Sequence, residues 1–198
     1  DVFVTREVFA PLGMRETGWR PAASLKARIA PTEIDPWRQR HLRGEVHDEN
    51  AYALGGMTGH AGLFSTAADL SRLARMYLGY GQLDGVRVLD SATVARFTSR
   101  PESSLSNRAL GWEKPNGSNS AGHRMSPAAF GHTGFTGTSV WIDPGNDIFV
   151  ILLTNRVNPT RENRKIGQVR IAVADAVMGT LQGCAVNASL LECPAGGR

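Results

Sequence analysis

Apolar residues recur one helical turn apart at the start of the chain, at Val4 and Val8, and Pro11 and Gly13 close the run. That spacing predicts the end of a helix over residues 2–9. Residues 20–50 show no period and are rich in Pro, Arg and polar side chains; a loop that long in a compact domain is functional or disordered. Helical spacing returns at Leu70, Leu73, Ala74 and Tyr77, behind a capping-box pattern of Thr66 with Asp69, and stops at Gly79 and Gly81. A shorter helix is predicted from Asp90 or Ser91 to Phe97, with Val94 and Phe97 inward. Residues 100–126 are polar and turn-rich, with Gly111-Trp112 as a short strand.

The period then changes. Residues 138–142 and 148–154 are rich in β-branched and apolar side chains, joined by Asp143-Pro144-Gly145-Asn146. In that turn Pro presets φ at the second position and Gly supplies a positive φ at the third. Ile151, Leu152 and Leu153 run on without alternation, which predicts a strand covered on both faces. A last helix is predicted over residues 162–181, with Ile166, Val169, Val173, Ala176 and Val177 as its apolar stripe. Helices and long loops come first, then strands, then one covering helix, an α+β order. Residues 128–155 are expected to form three consecutive antiparallel strands, with the last helix packed on one face.

Composition narrows the class. The chain has 198 residues, 41% hydrophobic and 20% charged, about one domain's worth with enough chain to bury a core. No window reaches the apolar length of a membrane span. The first residue is Asp1, so the chain is expected to begin after a cleavage or to be a fragment. The net charge of +4 equals that of residues 156–170, where Arg156, Arg161, Arg164, Lys165 and Arg170 face only Glu162. Without interleaved aromatics this run does not read as a nucleic-acid module. It reads as the solvated face of a helix, or as an attractant for an anionic substrate. Cys184 and Cys193 fit a small-loop disulfide or two free thiols in a C-terminal tail over residues 183–198.

Three segments carry candidate chemistry: "FAPLGMRETGW" (residues 9–19), "HDENAYALGGMTGHAGLFSTAADLSRLARMYL" (residues 47–78), and "GHTGFTGTSVWIDP" followed by "FVILLTNR". In this order and spacing they resemble the C-terminal part of the serine β-lactamase and penicillin-binding-protein-like hydrolases, the branch with class C-like esterases and D-amino-acid peptidases. The resemblance covers residues 1–182 as the C-terminal portion of one domain. It implies an antiparallel sheet with covering helices plus part of the helical region, no cofactor and an extracytoplasmic location. The family's chemistry is acyl transfer through a serine ester, using Ser-x-x-Lys, Tyr-x-Asn and a Lys/His-Thr/Ser-Gly strand. Only the third is present, as His132-Thr133-Gly134. No serine is followed three residues on by Lys, no tyrosine two on by Asn, and no Gly-x-Ser-x-Gly elbow occurs. In the family the two missing motifs lie before the "PLGM" segment, so truncation is expected to account for them.

The resemblance implies that the backbone N–H of Phe135 is one oxyanion donor. Thr133 offers a hydroxyl to a substrate carboxylate or carbonyl, and Gly134 lets the substrate backbone lie close. His132 would shape the local field and proton traffic; unlike lysine it carries no fixed charge at neutral pH, which tilts the substrate toward esters or peptide-like amides. His60, in a loop with four glycines in the nine residues 54–62, is expected on the same side. His41, His47 and His60 lack a metal-ligand spacing, and a loop hydrogen-bonding role is expected for them. Trp112 and Trp141 read as core or cleft wall. Two readings stand: a serine hydrolase whose nucleophile lies outside this chain, and a non-catalytic binding or accessory domain attached to another enzyme.

Overall fold

The computed structural model of the chain describes residues 1–101, 105–183, 185–186 and 191–192. Its first helix, α1 (Val2–Val4), continues into a π-helical turn, Thr5–Phe9. Gly13 ends the segment with φ +67°, and Met14 N–H reaches back to Phe9 O. The non-periodic stretch that follows is ordered. It contains β1 (Gly18–Trp19), a 3-10 helix (Ala23–Arg28), a small hairpin of β2 (Ile34–Asp35) and β3 (Arg40–His41), and the short α2 (Glu49–Ala53). Buried charge holds it, which explains the missing hydrophobic period. The buried Asp35 carboxylate accepts from Trp37 N, Arg38 N and Arg38 Nε, and the Arg38 head donates on to Val46 O and His47 O.

Strand β4 (Leu63–Phe64) pairs with β1 and leads into α3 (Ala67–Leu78). Thr66 caps this helix by accepting from Asp69 N at 3.2 Å, but the reciprocal half of the capping box is not made. Asp69 is buried and its carboxylate instead accepts from Glu16 N and Thr17 Oγ1, both at 2.7 Å, tying the helix start to the segment before β1. A two-residue hairpin, β5 (Gln82–Leu83) with β6 (Val86–Arg87), precedes α4 (Ser91–Thr98), capped by Asp90. Val94 is buried as expected, whereas Phe97 stays 46% exposed. The strand expected at Gly111-Trp112 is replaced by single-residue bridges at Glu113, one to Arg108 and one to Gly131.

The principal sheet is β7 (Phe130–Thr133), β8 (Thr138–Asp143) and β9 (Ile148–Leu153), antiparallel and in chain order. In the β8–β9 turn Asn146 N bonds Asp143 O at 3.2 Å, but the left-handed residue is Asp147 (φ 51°), not Gly145. Alternation sends Phe130, Ile142 and Phe149 toward Ala74 and Tyr77 of α3. It sends Trp141, Ile148 and Val150 toward Ala174 and Met178 of α5 (Ile166–Leu181). The sheet thus has a helix on each face, as the unalternating run predicts for its inner part, while Leu153 at the end of that run stays exposed. Burying Phe130 and Trp141 contributes about 1.5–3 kcal/mol for each side chain. Helix α5 begins four residues later than its spacing suggests, since Arg156 Nη1 takes the carbonyls of Arg161 and Asn163. In the tail, β10 (Ala185–Val186) pairs with β11 (Leu191–Glu192). Cys184 and Cys193 lie outside the described residues. Among the described residues no helix is long and apolar enough to cross a membrane.

Candidate active site

Strand β7 has β8 on one side and an edge on the other. Among the described residues Glu113 meets that edge at Gly131 alone, with N–H···O bonds of 2.8 and 3.0 Å. Antiparallel ladders alternate, so within β7 the residues whose main-chain groups turn outward are 131 and 133. Phe135 follows in the turn after the strand. The Gly134 carbonyl accepts from Gly137 N–H, so the N–H of the same trans peptide, that of Phe135, points the opposite way, toward the open edge, where it has no partner among the described residues.

His132 sits on this strand as an exposed ring. Arg108 Nη1 approaches its Nε2 at 3.4 Å, and an arginine only donates, so Nε2 accepts and Nδ1–H donates to Thr133 O at 2.9 Å. The same Arg108 pairs with Glu113 at 2.8 Å. A fixed positive charge thus stands beside His132, and no spacing in the sequence points to it.

The strand ends in a tight turn, Gly134 to Gly137, closed by Gly137 N–H to Gly134 O at 3.1 Å. Two arginines grip its outer side. Arg170 Nη2, from α5, donates to Gly134 O at 2.8 Å and Thr138 O at 2.7 Å. Arg156 donates from Nε to Phe135 O at 2.7 Å and from its main chain to Thr136 O at 2.9 Å. With Arg161, these residues correct the reading of the basic run as a solvated helix face: three of its five cations turn inward onto loops, and Arg170 is desolvated enough to pull its pKa down. A Cβ on Gly134 would meet Thr138 Oγ1, so the turn favours glycine there unless that side chain rotates.

The Phe135 ring is 58% exposed yet held on two sides, stacked on His47 (5.7 Å between centroids, 23° between planes) and under the Arg156 guanidinium at 4.1 Å. Beneath it lies a charge network the sequence does not reveal. The buried Glu33 carboxylate accepts from His47 Nε2 at 2.9 Å and from Arg161 Nη2 at 2.6 Å, and Arg161 also donates to Glu49 at 2.7 Å. The Arg161 hydrogen bonds, against the cost of burial, bring the Glu33 pKa down to about 2. An unfolded glutamate titrates near 4.5, so Glu33 stabilises the fold fully above that pH and loses its contribution as pH falls toward 2. The full shift is worth about 3 kcal/mol. Unfolding free energies from urea denaturation at pH 6 and pH 3 are expected to differ by part of this amount in the wild type and by clearly less in Glu33→Gln. Equal differences in the two proteins would remove Glu33 from the acid response.

His60 is in a loop that closes on itself through Thr58 and Ala61. Its Nε2 meets Asp48 at 3.1 Å, and Asp48 is engaged as the N-cap of α2. His60 is thus tied to Asp48, the chain neighbour of His47, and no hydrogen bond or ion pair joins it to residues 132–134 among the described residues. Surface cavities of about 480 and 310 Å³ lie elsewhere, one around Arg75, Gln82 and Phe149, the other around Lys26, Ile29 and Arg43. Among the described residues no group of three or more His, Cys, Asp or Glu could hold a metal ion.

Comparison with known proteins decides what this strand belongs to. Residues 1–175 match the beta-lactamase family model. The chain belongs to the beta-lactamase family. It is 37% identical over 185 residues to a Salmonella typhi protein named "Putative D-alanyl-D-alanine carboxypeptidase", covering 84% of this chain and 42% of that one. The chain thus spans less than half the length of such curated relatives. Among solved structures, a beta-lactamase from Mycobacterium bovis superposes with a TM-score of 0.60 at 21% identity, over 90% of this chain and 55% of that one. A penicillin-binding protein homologue from Caulobacter crescentus gives 0.61 at 17%, over 88% and 51%. Simvastatin synthase from Aspergillus terreus gives 0.64 at 15%, over 92% and 50%. These three share the fold.

Proposed function

We propose that this chain forms one wall of an acyl-transfer site in a serine hydrolase whose nucleophile lies outside residues 1–198. The observation that carries the reading is the outward N–H of Phe135, fixed at an open strand edge directly after His132-Thr133-Gly134. In the proposed reaction a serine oxygen attacks the substrate carbonyl carbon. The carbonyl oxygen becomes an anion held by the Phe135 N–H, the alcohol or amine departs with a proton, and water then hydrolyses the serine ester.

The substrate class is a peptide-like amide or ester, with β-lactam-like acyl donors included. The name of the Salmonella relative favours a peptide ending in a free carboxylate. Thr133 can donate to such a carboxylate, and Arg108 beside His132, though paired with Glu113, adds guanidinium donors to the same edge.

The test uses the full-length protein and the 198-residue chain side by side. The full-length protein is expected to hydrolyse a chromogenic ester and to be trapped by a serine-directed acylating inhibitor. Peptide mapping is expected to place the adduct on a serine outside residues 1–198. The shorter chain is expected to give no turnover. An adduct on a serine within these residues, or inhibitor-sensitive turnover by the short chain, would refute the proposal.

A further inference from the structure

The peptide unit between Gly134 and Phe135 is planar and trans, so its C=O and N–H point in opposite directions. Whatever holds the carbonyl therefore aims the N–H. The Gly134 carbonyl accepts from two groups: Gly137 N–H at 3.1 Å, within the turn, and Arg170 Nη2 at 2.8 Å, from another element. The same Arg170 nitrogen donates to Thr138 O at 2.7 Å. One side chain of α5 thus ties together both ends of the turn, from the side away from the strand edge. The next carbonyl, that of Phe135, is held by Arg156 Nε at 2.7 Å, so the following peptide unit is fixed as well.

We infer that Arg170 is the positioning residue for the Phe135 amide, keeping its N–H turned to the open edge as a ready-made oxyanion donor. This rests on the acyl-transfer reading above. Without Arg170, the bond from Gly137 is what remains on the Gly134 carbonyl among the described residues, and rotation of the 134–135 peptide would swing a carbonyl dipole toward the place where negative charge develops. The burial of Arg170 fits this role. Its Nε is enclosed without a partner among the described residues, a cost that an apolar residue packing α5 on the sheet would avoid. Its positive charge also polarises the peptide it holds, strengthening the N–H as a donor.

The experiment compares an oxoester with the matching thionoester in the full-length protein. An oxygen anion gains more from an aimed N–H donor than the larger, softer sulfur anion does, so the ratio of their kcat/KM values reports on the donor. The ratio is independent of the fraction of protein folded. Arg170→Met is expected to lower kcat/KM for the oxoester by about 100-fold, on the scale of losing one such donor, and to shrink the oxo-to-thiono ratio by tenfold or more. Arg170→Lys, which can still reach one carbonyl, is expected to recover part of both. If both substrates slow equally and the ratio holds at the wild-type value, Arg170 is structural only and the inference fails while the hydrolase reading stands. If the wild-type protein neither turns over the oxoester nor forms a serine adduct, the reading fails and the inference with it.

Discussion

Gly131→Val is expected to destabilise this chain by about 3–5 kcal/mol, lowering its melting temperature by about 10 °C or more for a domain of this size. A Cβ at Gly131 would lie 2.5 Å from Val140 O and 2.6 Å from Trp141 Cε3. Neither neighbour can give way cheaply. Val140 O belongs to the β7–β8 ladder, and Trp141 is 1% exposed, packed against α5 and donating from its indole N–H to Ser120. The backbone cannot retreat toward the edge without breaking both bonds to Glu113. Gly134→Ala is the comparison: its new methyl would meet Thr138 Oγ1, the end of a side chain that can rotate, and a cost of about 1 kcal/mol is expected. Urea denaturation of the three proteins measures both. A Gly131→Val variant within 1 kcal/mol of wild type would show that the sheet relaxes around position 131.

The second large effect is catalytic and separates the main chain of Phe135 from its ring. Phe135 is the second residue of the turn closed by Gly137 N–H to Gly134 O, a position that proline favours. Phe135→Pro therefore deletes the proposed oxyanion donor while suiting the turn. In the full-length protein kcat is expected to drop by about 100- to 1,000-fold with KM nearly unchanged. Phe135→Ala removes the stack on His47 but keeps the N–H, and is expected to stay within about tenfold of wild type. Circular dichroism and melting curves establish that both variants fold. A folded Phe135→Pro enzyme with more than a tenth of wild-type kcat would exclude the amide as the donor.

The parts of the fold that the sequence announced are those where the signal is local. Leu70, Leu73, Ala74 and Tyr77 mark α3 by spacing alone, and the β-rich runs around residues 143–146 mark a hairpin because strand propensity and turn chemistry lie next to each other in the chain. The candidate residues His132 to Phe135 are likewise contiguous in the chain. The support for that site was illegible because it comes from far away. Arg170 reaches Gly134 across 36 residues, and Arg161 reaches Glu33 across 128. Charged side chains that fold inward to satisfy carbonyls and carboxylates leave no period, and in the sequence they look like any solvated basic run. Residues 20–50 misled for the same reason: Asp35 and Arg38 organise that segment by hydrogen bonds, which no hydrophobic pattern records.

Carbonyls 134, 135 and 136 are each answered by a donor from Arg156 or Arg170. For a protein engineer this means that Gly131-His132-Thr133-Gly134-Phe135-Thr136-Gly137 is not a portable cassette. Spliced into a foreign hairpin, the heptapeptide would keep its letters and lose the bearing of its peptide planes. A transplant has to bring the return strand and the first turns of the following helix, so the smallest transferable unit is the whole stretch from Phe130 to Arg170.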